Sequence, residues 1–156
     1  MTKIVKRYIS QDEIKHCSLN IVSMMFGDDF KPDFIVGITR GGLWPAMMLS
    51  HYLGIKMYTL DVRLRDGDIQ ESNSWMKEQA ANGAKILVVD DINDTGATFE
   101  WIKKDWNIGD DSETSNVKFA ALIDNVPSDF VVEYNGIEIN KEENPEWIVF
   151  PYEEWW

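Results

Sequence analysis

Three short apolar runs constrain this 156-residue chain more than any other feature: FIVGI at 34–38, ILVVD at 86–90 and VKFAALI at 117–123. Each is too short for a typical helix and apolar at almost every position, so each reads as a strand buried on both faces. The segments between them carry helical signals. WPAMMLSHYLG, 44–54, has Pro45 in its first turn and Gly54 at its close. ATFEWIKKDW continues as a helix from the turn behind ILVVD, and MYTLDV supplies a further strand. Buried strands separated by helices give an α/β fold, a central parallel sheet with helices on both faces.

The remaining segments have less regular patterns. Ile14, Cys17, Leu19, Ile21, Val22, Met24 and Met25 recur roughly at helical spacing, with Ser10 placed to cap the helix ahead of Glu13. RLRDGDIQESNSW, 63–75, is polar and has neither period, which predicts a long mobile loop. From Phe130 onward, FVVEYNGIEI and WIVFPYEEWW are strand-like and aromatic without a following helix, which predicts a small antiparallel addition at the sheet edge. Length and an apolar content of 44% fit one domain, residues 1–156, with a proper core.

A formal charge of −12 argues against nucleic acid as a partner, because phosphate neutralisation needs clustered Lys and Arg. A small anionic ligand stays open, since helix N-terminal amides bind phosphate whatever the net charge. The single cysteine, Cys17, excludes an intrachain disulfide and a Cys-only metal site, and its helical position predicts a buried structural thiol. No secretory leader pattern and no apolar run of membrane-spanning length is present, so no membrane partner and a cytoplasmic location are expected.

ILVVDDINDTGATFE, 86–100, sets Asp90, Asp91 and Asp94 at a strand end, where parallel sheets gather their ligand-binding loops. Three such carboxylates repel in a dry site unless one is protonated or a cation, water or hydroxyl-rich ligand compensates. DTGAT adds a glycine for close backbone approach, two hydroxyls and the amides of a starting helix, which together suit phosphate. A sugar phosphate satisfies both halves. The lysine of a GxxxxGK[ST] loop is absent. Strand-end solvation is the plainer reading of the two Asp residues, and ILVVDD alone also opens response-regulator receiver domains. There, however, it forms the first strand, whereas here it follows residue 85.

VVDDINDTGAT resembles the phosphoribosyl pyrophosphate signature of type I phosphoribosyltransferases, and FIVGITRGGLWPA resembles the pyrophosphate loop of the xanthine-guanine and hypoxanthine group. YISQDEIKHCSLNIVSMM and EWIVFPYE resemble that group's N-terminal helix and C-terminal hood, dividing the chain into a core of about 1–128 and a hood of about 129–156. The resemblance implies transfer of a 5-phosphoribosyl group from phosphoribosyl pyrophosphate to a nucleobase, here a purine, with Mg²⁺ as cofactor and a homodimer or homotetramer as the assembly. It places Asp90 and Asp91 at the ribose hydroxyls and the metal, with Asp91 the main metal contributor. Asp94 becomes the general base near N7, and Thr95, Gly96, Ala97 and Thr98 wrap the 5-phosphate. Arg40 and Gly41 take pyrophosphate, Trp147 stacks on the base, and Ile148 offers backbone groups to its edge. For Asp94 the plainer role is capping the following helix.

Two departures stand out. The lysine that purine-specific relatives carry just after the third apolar run is missing: ALIDNVPSD has Asp124 and Asn125 instead, and Asn125 is left as a possible amide donor to an oxo group. The 63–75 segment lacks the family's Ser-Tyr pair, with Arg63 and Arg65 as candidate replacements. A regulatory protein that senses phosphoribosyl pyrophosphate or a nucleotide on the same fold is the alternative function.

Overall fold

The computed structural model describes residues 3–62 and 74–156. The expectations for Arg63, Arg65 and most of the 63–75 segment therefore lie outside the described residues. Along the chain run β1 (Val5–Tyr8), α1 (Gln11–Gly27), β2 (Phe34–Ile38), α2 (Leu43–Leu53), β3 (Met57–Leu60), α3 (Ser74–Ala81), β4 (Ile86–Asn93), α4 (Ala97–Asp105), β5 (Val117–Asn125), β6 (Tyr134–Ile139) and β7 (Glu146–Val149). Five strands form the central sheet in the order β3-β2-β4-β5-β6, every pair parallel.

Alternate residues of β4 show why the apolar runs are continuous. Leu87 and Val89 enter one core with Ile14, Ile21 and Leu49 from α1 and α2. Ile86 and Val88 enter the other with Met76, Phe99 and Ile102 from α3 and α4. Both faces are covered, so strand polarity does not alternate. Ser10 caps α1 by accepting from the Glu13 amide at 3.1 Å. Of the periodic positions on that helix, Leu19 and Met24 face outward. Gly136 of β6 lets α1 sit close: a Cβ there would lie 2.3 Å from the Cys17 Cβ and 2.5 Å from the Leu122 carbonyl oxygen.

Three expectations need correction. The C-terminal strands are not an antiparallel addition. β6 joins the central sheet parallel to β5, and β7 pairs with β1 in a separate parallel ribbon, Val5 opposite Glu146 through Tyr8 opposite Val149. A parallel connection ordinarily needs a dozen residues and a helix. Here the β5–β6 connection crosses back without one, burying Phe130 and Val132 against Phe99 and Phe119. Second, β1 was not anticipated. Third, Ser74 and Trp75, assigned to a loop, open α3, where Trp75 lies against Tyr58 and Phe34.

Candidate active site

Two cavities adjoin at the carboxyl ends of β2, β4 and β5. The larger, about 1060 Å³, is lined by Arg40, Gly41, Asp91, Asp94, Trp147 and Ile148, with Lys141 and Tyr152 also in its wall. The smaller, about 90 Å³, is formed by Asp90 and the turn Asp94 to Thr98. The residues from Arg40 to Ile148 to which the resemblance gave ligand roles line one or the other, Asp94 borders both, and Asn125 lines neither.

The small cavity is closed around the start of α4. Gly96 holds φ +90° at the start of α4, and a side chain there would run into Phe130 and Ser128. Its position lets the Ala97 amide meet the Thr95 hydroxyl at 3.3 Å and leaves the first turn of α4 facing the cavity. Asn93, almost fully buried, fixes the turn from beneath by donating to Asp124 Oδ1 and the Phe130 carbonyl, both at 2.8 Å.

On the opposite wall the Thr39–Arg40 peptide is cis, and Arg40 projects into the large cavity. Gly41 is a steric necessity there. A Cβ on it would lie 2.0 Å from Asp91 Oδ2, so only glycine lets the carboxylate rest on this loop. Asp91 accepts from the Ile92 amide at 2.8 Å and from the Tyr152 hydroxyl at 2.7 Å. The Gly41 carbonyl lies 3.1 Å from the same hydroxyl. Burial and then the Asp91 charge push the Tyr152 hydroxyl far above its ordinary pKa, so it stays a donor.

Asp90 differs from its neighbour. It accepts from the Asp91 amide at 2.9 Å, and burial, followed by the charge of Asp91, pushes its carboxyl well above the usual range. The repulsion between the first two carboxylates is thus expressed as a raised Asp90 carboxyl, whose side chain bonds that of Asp91, while Asp94 is paired with Lys141.

Asp94 does not cap α4, whose N-cap Gly96 makes no side-chain hydrogen bond. Its Oδ2 instead lies 3.1 Å from Lys141 Nζ. Asn125, only 7% exposed, joins the two. Its Nδ2 donates to the Asp94 carbonyl at 3.0 Å and more distantly to Oδ1 at 3.4 Å, while its Oδ1 accepts from the Lys141 amide at 3.0 Å. The Asn125 amide is therefore spent within the protein, against the expectation that it could donate to an oxo group. Lys141 Nζ also stands 5.6 Å from the centroid of the Trp147 ring, which is 54% exposed.

Lys141 carries no signal in the sequence, and Tyr152 lies in EWIVFPYE, which gives no sign of its bond to Asp91. Each reaches the site through a strand pairing distant along the chain. As for a metal, no cluster of three or more potential ligands occurs among the described residues. One cavity-facing carboxylate, Asp91, fits Mg²⁺ when substrate oxygens and water complete its shell.

The phosphoribosyl transferase domain family matches residues 3–154 of the chain. A xanthine-guanine phosphoribosyltransferase of Cereibacter sphaeroides is 40% identical over 74 residues, which cover 44% of this chain and 44% of that protein, less than half of either. The purine phosphoribosyltransferase of Pyrococcus horikoshii is similar over 96% of this chain and 95% of its own, with a TM-score of 0.72 and 27% identity. The Helicobacter pylori xanthine-guanine-hypoxanthine phosphoribosyltransferase shares the fold over 95% of this chain and 93% of its own, at a TM-score of 0.73 and 22% identity.

Proposed function

Since the chain belongs to the phosphoribosyl transferase family, we propose that it moves the 5-phosphoribosyl group of phosphoribosyl pyrophosphate to a purine base, guanine, xanthine or hypoxanthine. The observation that carries this is one carboxylate, Asp94, on the border between a phosphate cradle and a cavity with an exposed aromatic face. In this reading Thr95, Gly96, Ala97 and Thr98 hold the 5-phosphate, and Asp90 and Asp91 take the ribose hydroxyls. Arg40 and the Gly41 loop receive pyrophosphate, while Trp147 stacks on the base and Ile148 offers it main-chain groups.

A base nitrogen attacks C1 as the bond to pyrophosphate breaks, and Asp94 accepts the ring proton. Holding base and sugar in line supplies much of the acceleration, because a positioned pair reacts as one molecule. Asp91, with Asp90 behind it, would hold Mg²⁺, which when bound neutralises charge on the departing pyrophosphate. The charged substrate places the reaction in the cytoplasm. A homodimer or homotetramer belongs to the same proposal, supported by an apolar groove between α1 and α2 lined by Leu19, Met47 and Tyr52.

The test is pyrophosphate release from phosphoribosyl pyrophosphate and Mg²⁺ with guanine, xanthine, hypoxanthine and adenine in turn. Turnover with at least one oxo base is expected. Tight ligand binding without turnover of any base would favour the sensing role instead.

A further inference from the structure

We propose that Asp94 and Lys141 form a two-point reader for a purine carrying an oxo group at C6, with Lys141 the residue that sets specificity; this rests on the reading of Asp94 as the group that faces the base. The two side chains present an acceptor and a donor side by side, 3.1 Å apart, with the Lys141 ammonium over the Trp147 ring at 5.6 Å from its centroid. Their spacing is built in. The side chain of Asn125 bonds the Asp94 carbonyl on one side and the Lys141 amide on the other. Beyond β6, Asn140 fixes the turn that carries Lys141, its side chain accepting from the Glu142 amide at 3.0 Å and the Glu143 amide at 3.3 Å.

A base stacked on Trp147 meets this pair edge-on. Purines present N7 and the C6 substituent along one edge: in guanine that substituent is an oxygen acceptor, and in adenine it is an amino donor. With a proton on N7, the oxo bases offer donor then acceptor, which complements Asp94 then Lys141. Adenine offers a donor in both places and sets its amino group against an ammonium that can only donate. In a partly desolvated cavity that mismatch leaves a charged donor without a partner, an asymmetry of the kind that separates substrates most strongly. Hypoxanthine, guanine and xanthine share the C6 oxygen, so the pair selects among oxo and amino bases and not within the oxo group.

The pair also bears on the lysine absent from the end of β5. Asn125 stands there as a tie, and the ammonium arrives from the turn after β6, a different segment of the chain.

Lys141→Met and Lys141→Arg test this in the full chain, with circular dichroism to verify folding. Affinities for the 5-monophosphates of hypoxanthine and adenine, in which N7 carries no proton so that the C6 contact to Lys141 alone is read, are measured by calorimetry, and kcat/KM for the two free bases reads the full pair. The wild type should prefer the oxo compounds. Lys141→Met should lower oxo affinity on the order of 10- to 100-fold with little change for the adenine compounds, and Lys141→Arg should retain most of the preference. Equal losses for both nucleotides, an unchanged preference in Lys141→Met, or no nucleotide binding by the wild type would overturn the proposal. Absence of turnover with a Lys141-dependent nucleotide preference would instead remove the transferase reading and leave the reader standing.

Discussion

At the scale of single residues, the site works through a few side chains whose freedom is taken up elsewhere. Asp94 is the clearest: its ion pair with Lys141 and its tie to Asn125 hold a carboxylate at the junction of two cavities. Asp94→Asn keeps the size and loses the proton acceptor. Turnover should fall about 10²- to 10⁴-fold, while phosphoribosyl pyrophosphate binding measured by calorimetry changes by no more than severalfold. Unchanged activity would remove Asp94 from the proton transfer. Gly41 supports a second expectation. Because a methyl group there would meet Asp91 Oδ2 at 2.0 Å, Gly41→Ala must push the carboxylate or the loop aside. A displacement of that size near reacting groups costs on the order of 100-fold in kcat/KM, measurable by steady-state assay against an unchanged melting curve.

At the scale of elements, the sequence was most legible where a signal is local. ILVVDD followed by a glycine-threonine turn showed both the strand and the helix start behind it, and Ser10 with Glu13 marked the start of α1. The C-terminal pairings were not legible, because β1 and β7 are short strands whose stability comes from one another and not from their own composition. The parallel course of β6 was hidden for a related reason: its crossover buries Phe130 and Val132 from an irregular segment, with no helical period to show a return. Lys141 and Tyr152 were missed with the pairings that deliver them. The α1–β6 contact yields a stability prediction. Gly136→Ala places a methyl group 2.5 Å from the Leu122 carbonyl oxygen and 2.3 Å from the Cys17 Cβ, neither of which can turn away. Overpacking of this kind costs about 1–3 kcal/mol, which urea unfolding would register as a lower midpoint with an unchanged slope.

At the scale of the whole molecule, two behaviours follow from how the ends and the core are arranged. Burial, with the nearby Glu13 charge, pushes the Cys17 thiol up to about 11. Above the ordinary thiol range of about 8.5, the unfolded chain gives up this proton while the folded one keeps it. The unfolded state then binds fewer protons, so the contribution of this group to stability falls as pH rises toward 11. Comparison with Cys17→Ala isolates it: the wild type should lose more stability than the variant across that interval. The second behaviour concerns the ribbon. Removing residues 1–8 takes away the partner of the strand that carries Trp147 and Ile148 but no strand of the central sheet. Cooperative thermal unfolding should persist, with KM for the base raised and KM for phosphoribosyl pyrophosphate nearly unchanged.

The β1–β7 ribbon also gives the site an order of assembly. Lys6 and Glu154, which meet at 3.0 Å beside it, are 148 positions apart, whereas β2 and β4 join across 52, Phe34 opposite Ile86. Closing so long a loop is slow compared with local pairing. During synthesis the turn from Asp94 to Thr98 and the loop of Arg40 and Gly41 can therefore take shape while the wall that carries Trp147 is still unmade. On the proposed reading of the site, a chain halted before Glu146 would have a place for the sugar donor and none for its acceptor.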